Sequence, residues 1–386
     1  LACCELCGQW PDGIWHVLIV LLPKADGGHR PIGLLPTPIR VWMRARVAIG
    51  KTWQIANRIP GCYGSPGLGA QRAAWQVAFR AETASRSGHH SAQSLLDLVK
   101  CFETIPHQKV VEAATRHGYN LTILKLSLAA YRLPRVVGVE GVFADAVTAT
   151  CGITAGSGFA TIELECLLLD VVRDIGTRWP LVRVTLYVDD ISIEAAHASM
   201  HAVRISIAGA TDQAVHHLQD GLGLKVSAKK TGALANSAAL AKRVVATSKR
   251  FRLNRWRNAK FLGTPAGGGK RRFVKPFKLR LPMFAKRVAR IQQLRRHGID
   301  TLQVTRAAGT PMITYGVDTV GASCTHLLNM RRGVARAVAP TGGGKCLNAI
   351  LFNADGTSGS ADPAFASHIL PIRMWAIAAW ETWQPH

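Results

Sequence analysis

The sequence predicts an α+β fold, a sheet flanked by helices, and three features of it lead there. The run Val182-Arg183-Val184-Thr185-Leu186 is followed by Tyr187-Val188-Asp189-Asp190 and then Ile191-Ser192-Ile193. That reads as strand, tight turn and strand, with the acids on the turn. Ser94 to Phe102 is a second strand-like run, mostly apolar, with Asp97 inside it. Between and around these runs lie stretches with apolar residues at helical spacing. The 386 residues leave room for a large core and two subdomains, and a hydrophobic content of 48% argues for a folded chain.

In chain order, residues 1–90 hold short apolar runs broken by Gly and Pro, with a helix expected over 71–84. Gly27-Gly28 suggests a hairpin turn that aims Lys24 and Arg30 the same way. Helices are expected at 107–118, 121–133 and 160–173, and an amphipathic one over 201–222. The helices should cover one face of an antiparallel sheet. The character changes after Gly267-Gly268-Gly269, and 277–297 reads as a basic helix. Beyond that the pattern is harder to read. Thr341-Gly342-Gly343-Gly344-Lys345 lacks the spacing of a phosphate-binding loop and reads as a flexible loop.

An Asp-Asp pair is in most proteins a polar turn, and an Asp at a strand end commonly caps the next helix. Here two strands offer three acids, Asp97, Asp189 and Asp190. An acid in an apolar strand is costly unless it is paired, hydrogen-bonded or binding metal. Three carboxylates are the minimum cage for two Mg2+ ions, hard cations that prefer oxygen. Two such ions about 3.5–4 Å apart can activate a hydroxyl and stabilise a leaving pyrophosphate.

The motifs around these acids resemble reverse transcriptases of non-LTR retrotransposons and, more distantly, those of group II introns. Tyr187-Val188-Asp189-Asp190 is preceded by Leu96-Asp97-Leu98-Val99-Lys100-Cys101-Phe102 and Ile105-Pro106-His107. Lys24 to Thr37 resembles the fingers segment that holds the triphosphate. Gly61 to Gly67 resembles the segment leading from fingers to palm, and Gly152 to Ala160 the loop and helix beside the nucleotide. Gly223 to Thr231 and Phe261-Leu262-Gly263 resemble the last two palm motifs. The blocks stand in the family's order over about residues 20 to 265. The resemblance implies a right-hand polymerase fold. Residues 1–265 would form fingers and palm, and 266–386 a basic, helical, thumb-like and post-polymerase region.

That resemblance also assigns roles. Asp97, Asp189 and Asp190 would hold two Mg2+ ions, with Mn2+ as a possible substitute, and Asp189 would be the indispensable member of the pair. Lys24 and Arg30 would bind the triphosphate, Arg30 through a planar fork and Lys24 as a point charge. Phe102 would stand against the sugar and exclude a ribose 2′-hydroxyl. Gly156 and Ser157 would let backbone approach the nucleotide. Lys230 would protonate the leaving pyrophosphate. Phe261, Leu262 and Gly263 would support the primer. The sequence departs from the family pattern at Ala155, where the family usually has Gln. The implied partners are an RNA template, a DNA primer and dNTPs, and the implied setting is intracellular and nuclear. The implied activity is RNA-directed DNA polymerisation in a retrotransposon-like element.

Composition agrees with a polyanionic partner. The formal net charge is +25, and from Lys225 to Ile299 there are 22 Lys and Arg and no Asp or Glu. Trp256, Phe261, Phe273 and Phe277 interleave with that block and offer stacking surfaces. No apolar run is long enough for a membrane-spanning helix. The nine cysteines show no disulfide framework and read as reduced thiols. The first residue is Leu1, which reads as a piece of a longer frame. Two other readings remain: a decayed copy that only binds nucleic acid, and an RNA-templated RNA polymerase, which the aromatic Phe102 argues against.

Overall fold

The computed structural model describes residues 1–24, 27–139, 141–267, 272–339, 346–355 and 359–383. Ala25 and Asp26 of the Lys24–Thr37 block, Gly268 and Gly269, and residues 341–345 lie outside the described residues. The chain divides into two compact units. One comprises 1–70, 90–233 and 239–255; the other comprises 71–89, 234–238 and 256–386.

The strands, in chain order, are β1 (Val17–Pro23), β2 (His29–Leu34), β3 (His90–Leu96), β4 (Arg135–Val139), β5 (Val142–Phe143), β6 (Val182–Tyr187), β7 (Asp190–His197), β8 (Gly232–Ala235), β9 (Asn254–Arg255), β10 (Asn258–Phe261) and β11 (Thr264–Gly267). In the first unit a five-stranded sheet runs β6-β7-β3-β8-β9 and a four-stranded sheet runs β2-β1-β4-β5. β7 pairs antiparallel with both β6 and β3. The sheet that carries the acids is antiparallel through β6, β7 and β3, as expected, and departs from that at its edge, where β8 pairs parallel with β9; in the four-stranded sheet β1 pairs parallel with β4. A parallel pair needs a crossover rather than a tight turn, so no short turn signal marks it in sequence.

β6 forms because Val182, Val184 and Thr185 are β-branched and bury their side chains, while Arg183 points out. β3 starts earlier than expected and stops at Leu96. Asp97 therefore lies just beyond the strand, and Phe102 sits in a short helical turn, Cys101–Thr104. Helices stand where the apolar spacing put them, at His107–Arg116, Leu121–Tyr131, Ala160–Arg178 and Met200–His216. The last continues into a π-helical turn, His217–Gly221. Ala160–Arg178 is the spine of the unit. Leu164, Leu168 and Leu169 are at most 1% exposed, and each contributes roughly 1.5–3 kcal/mol by burial.

The second unit holds the helix Ala70–Arg86 from Gln71 on, the β10–β11 hairpin and the C-terminal helices. Its core gathers Phe277, Phe284, Val288 and Ile291 with Met330 and Val334. The apolar side chains of Arg280–Arg296 thus meet those of Cys324–Val338, and Lys286, Arg287, Arg290 and Arg296 of the first helix stay exposed. Arg272 donates to both Glu82 carboxylate oxygens, at 2.5 and 2.7 Å. No helix of the described residues is long and apolar enough to cross a membrane.

Candidate active site

The hairpin of β6 and β7 closes with only Val188 and Asp189 between paired residues Tyr187 and Asp190. A two-residue connection of this kind requires positive φ at its first central position, and Val188 has φ 58°. A β-branched residue there is strained, and strain of this kind gathers where a site dictates the backbone. The result is that Asp189 and Asp190 stand at the tip of a rigid hairpin.

Asp97 arrives from the neighbouring strand. β3 and β7 pair through Leu96 and Ile191, so one step further along the register Asp97 faces Asp190. Its backbone is fixed by the segment that precedes β8. The Asp97 amide donates to the Thr231 hydroxyl at 3.2 Å, and its carbonyl accepts from the Ser227 amide at 2.8 Å. The Val99 amide donates to the Lys225 carbonyl at 2.8 Å. These bonds carry Lys230 to the acids, and its Nζ lies 3.7 Å from Asp97 Oδ2.

Burial pushes all three carboxyl groups up from the ordinary range. For Asp190 the shift reaches about 6, through burial first and then the charges of Asp189 and Asp97, against the pull of Lys230. Asp189 is raised by burial and by Asp97, and the guanidinium of Arg30 acts in the opposite direction. Asp97 is raised by burial and drawn back by Lys230. Three carboxylates that repel one another, with Lys230 and Arg30 offsetting only part of their charge, form a donor set suited to a hard divalent ion. As the side chains stand, no three acidic, His or Cys groups among the described residues close into a ready metal cage.

Lys24, just past β1, and Arg30, in β2, come from one hairpin. Leu22 pairs with Arg30, and the Lys24 amide donates to the Gly28 carbonyl at 2.7 Å. This register places Lys24 and Arg30 on one face of the hairpin. Both are exposed. The hairpin is docked through Gly33, whose amide donates to the Ala155 carbonyl at 2.8 Å. Gly156 has φ 119°, and a Cβ on it would stand 2.4 Å from the Gly33 carbonyl oxygen. Glycine is required there by conformation and by space.

The same loop is tied to Phe102. The Ile153 amide donates to the Phe102 carbonyl at 2.7 Å, and the Gly152 amide to the Ile105 carbonyl at 2.8 Å. The loop 152–157 thus links the short helix that carries Phe102 to the strand that leads from Arg30. The Gly61–Gly67 segment lies along the free edge of β6. The Tyr63 amide donates to Leu186 O at 2.8 Å, and the Leu186 amide to Gly61 O at 2.7 Å. The first unit therefore brings together Asp97, Asp189, Asp190, Lys230, Arg30, Phe102 and the Gly156-Ser157 loop.

Phe261, Leu262 and Gly263 belong to the second unit. Leu262 and Gly263 have φ 47° and 77° and join β10 to β11 as a two-residue hairpin turn. The Phe261 ring is buried in the core, and the turn is the half-buried part. Both turn carbonyls are held: Tyr315 Oη donates to Leu262 O at 2.8 Å and Arg280 Nη2 to Gly263 O at 2.6 Å. The Arg280 guanidinium lies 4.5 Å from the Tyr315 ring centroid.

A family model for the reverse transcriptase (RNA-dependent DNA polymerase) matches residues 22–266. The chain belongs to the reverse transcriptase family. Every site residue named from the sequence falls within the matched span. No curated protein sequence matches this reverse transcriptase chain. Among solved structures, apo telomerase from Candida tropicalis is similar at 12% identity and TM-score 0.49, over 96% of this chain and 63% of that one. The same telomerase truncated from its C-terminal domain matches at 13% identity and TM-score 0.43, over 67% and 55%. Telomerase from Candida albicans, in complex with a TWJ fragment of telomeric RNA, matches at 11% identity and TM-score 0.41, over 94% and 66%. The chain thus spans between about half and two thirds of the length of these telomerases.

Two polar anchors around the candidate site escaped the sequence reading. Glu165 accepts from Gln54 Nε2 at 2.6 Å and from the Ser65 hydroxyl at 3.2 Å, which binds the Gly61–Gly67 segment to the spine helix. Glu163 accepts from Tyr131 at 2.6 Å, and Tyr131 shares a hydrogen bond with Ser157 at 2.7 Å. The signal for both was available. Two glutamates interrupt the otherwise apolar stretch from Ile162 to Leu169, and a buried acid needs a partner.

Proposed function

We propose that this chain is an RNA-directed DNA polymerase domain of a retrotransposon-like element. It extends a DNA primer on an RNA template by nucleotidyl transfer from dNTPs. The observation that carries this reading is the convergence of Asp97, Asp189 and Asp190 on one hairpin tip, with Arg30 and Lys230 acting on their charge. Asp97, Asp189 and Asp190 would hold Mg2+, or Mn2+ in its place. The bound ions supply activation of the primer hydroxyl and neutralisation of the leaving pyrophosphate.

The chain's own residues do the rest. Lys24 and Arg30 hold the triphosphate from one face of the fingers hairpin. The Phe102 ring closes the sugar side and selects against a 2′-hydroxyl. Lys230 leaves Asp97 for the pyrophosphate and supplies its proton. The test is incorporation of labelled deoxynucleotide on a primed RNA template with Mg2+, for this chain and for Asp189→Ala. Activity in the first and loss in the second is expected. Incorporation that survives Asp189→Ala removes the basis of the reading. Absence of incorporation in both, with primer–template still bound, selects a binding-only relic, the outcome to which Ala155 points.

A further inference from the structure

The chain Glu163, Tyr131 and Ser157 has a property that the metal site does not share: its hydrogen bonds must run in one direction at a time. Tyr131 is 0% exposed and Glu163 1% exposed. The Tyr131 hydroxyl has one proton, and it stands 2.6 Å from Glu163 Oε2 and 2.7 Å from Ser157 Oγ. With Glu163 ionised, that proton goes to the carboxylate. Ser157 must then spend its own proton inward, on the Tyr131 oxygen. Its Oγ also accepts from the Phe159 amide at 3.1 Å.

A neutral Glu163 reverses the order. Oε1 has no hydrogen-bond partner, so a proton there would be a buried orphan at a cost of about 1–3 kcal/mol. The proton belongs on Oε2, facing Tyr131. Tyr131 then donates to Ser157, and the Ser157 proton is released toward the half-exposed side of the loop. One proton is taken up by Glu163; the other two only change partner. The groups facing Glu163 are hydroxyls, those of Tyr131 and Ser127, and both draw its carboxyl down, although the Ser127 contact falls short of hydrogen-bond geometry; Tyr119 and Cys166 feel its charge. No cation acts on the carboxyl, so the neutral form is accessible at physiological pH; burial raises the group to about 7.

We propose that Tyr131 and Glu163 are positioning residues that decide whether the Ser157 hydroxyl offers a proton or only a lone pair to a bound nucleotide. This rests on the polymerase reading above, in which the Gly156-Ser157 loop lies beside the nucleotide. Phosphate and sugar oxygens accept, so the neutral relay favours nucleotide and the ionised relay disfavours it.

The experiment is equilibrium binding of Mg2+–dNTP to the protein on a chain-terminated primer–template, at pH 6 and pH 8, which needs no turnover. Glu163→Gln retains the shape and, through its amide N–H, imitates the neutral acid. Wild type should lose affinity between the two pH values about threefold to tenfold more than Glu163→Gln, the value of one hydrogen bond. The ionisation of the nucleotide itself is common to both. Tyr131→Phe breaks the relay, and adding Glu163→Gln to it should change nothing further. Parallel pH profiles for wild type and Glu163→Gln, with nucleotide bound, overturn the relay and leave the polymerase reading intact. Absence of nucleotide binding at either pH overturns both.

Discussion

At the residue scale the chain concentrates its costs around the candidate site. Val188 holds φ 58° so that Asp189 and Asp190 share one hairpin tip. Val188→Gly should relieve that conformation and raise stability by about 1–3 kcal/mol, as seen in denaturant unfolding. No gain would mean that the turn is unstrained. Glu163 is the second cost. Its carboxyl moves from 4.5 to about 7 on folding, chiefly through burial. The folded state holds that proton more tightly than the unfolded state. Stability from this group is therefore present below pH 4.5 and is lost as pH rises through about 7. The displacement is worth on the order of 3 kcal/mol. Unfolding of Glu163→Gln measured from pH 5 to pH 8 should lack a decline of roughly that size that wild type shows. Identical profiles would place the titration elsewhere.

At the scale of elements, the loop 152–157 acts as a hinge pin between Phe102 and Gly33. A methyl group at Gly156 meets the Gly33 carbonyl at 2.4 Å, and the backbone there is unfavourable for any other residue. Gly156→Ala should cost roughly 1–3 kcal/mol and free the hairpin that carries Lys24 and Arg30. The expected result is a higher KM for dNTP with less change in primer–template affinity; an unchanged KM would show that the hairpin does not need the loop. Such pairings explain what the sequence revealed and what it hid. The acids were legible because a turn between two β-branched runs is a local pattern, and the long helices because their apolar spacing is also local. The helix Thr37–Ala56 was missed, since Pro36 and Pro38 stand at its start and Gly50 within it. Those residues mark breaks in most contexts, yet Pro at a first turn is harmless and Gly50 packs closely on Ile162. β4 was missed because its partner β1 lies more than a hundred residues away. Nor could register with Thr231 be read from the sequence, although it delivers Lys230 to Asp97.

At the scale of the whole molecule, charge and chemistry separate. The net charge of +25 sits largely outside the three-acid site, and the block from Lys225 to Ile299 holds no acid. Along the helix Arg280–Arg296, the exposed Lys286, Arg287, Arg290 and Arg296 accompany a buried stripe of Phe284, Val288 and Ile291. Cations on the open face of a packed helix meet phosphate without reading bases. Binding of an RNA–DNA primer–template should therefore fall linearly on a plot of log affinity against log salt, with a slope set by the number of phosphates contacted. Each Arg→Ala change at Arg287 or Arg290 should reduce that slope by about one if the residue touches phosphate. Chelation of divalent ions should act differently. It should abolish incorporation while leaving most of the binding, because the acids contribute repulsion rather than affinity when no cation is bound. A fluorescence-anisotropy titration at several salt concentrations, with and without chelator, separates the two. A flat salt response would mean that the basic block is only a solvated face. Binding lost with the metal would mean that the acids, not the block, organise the complex.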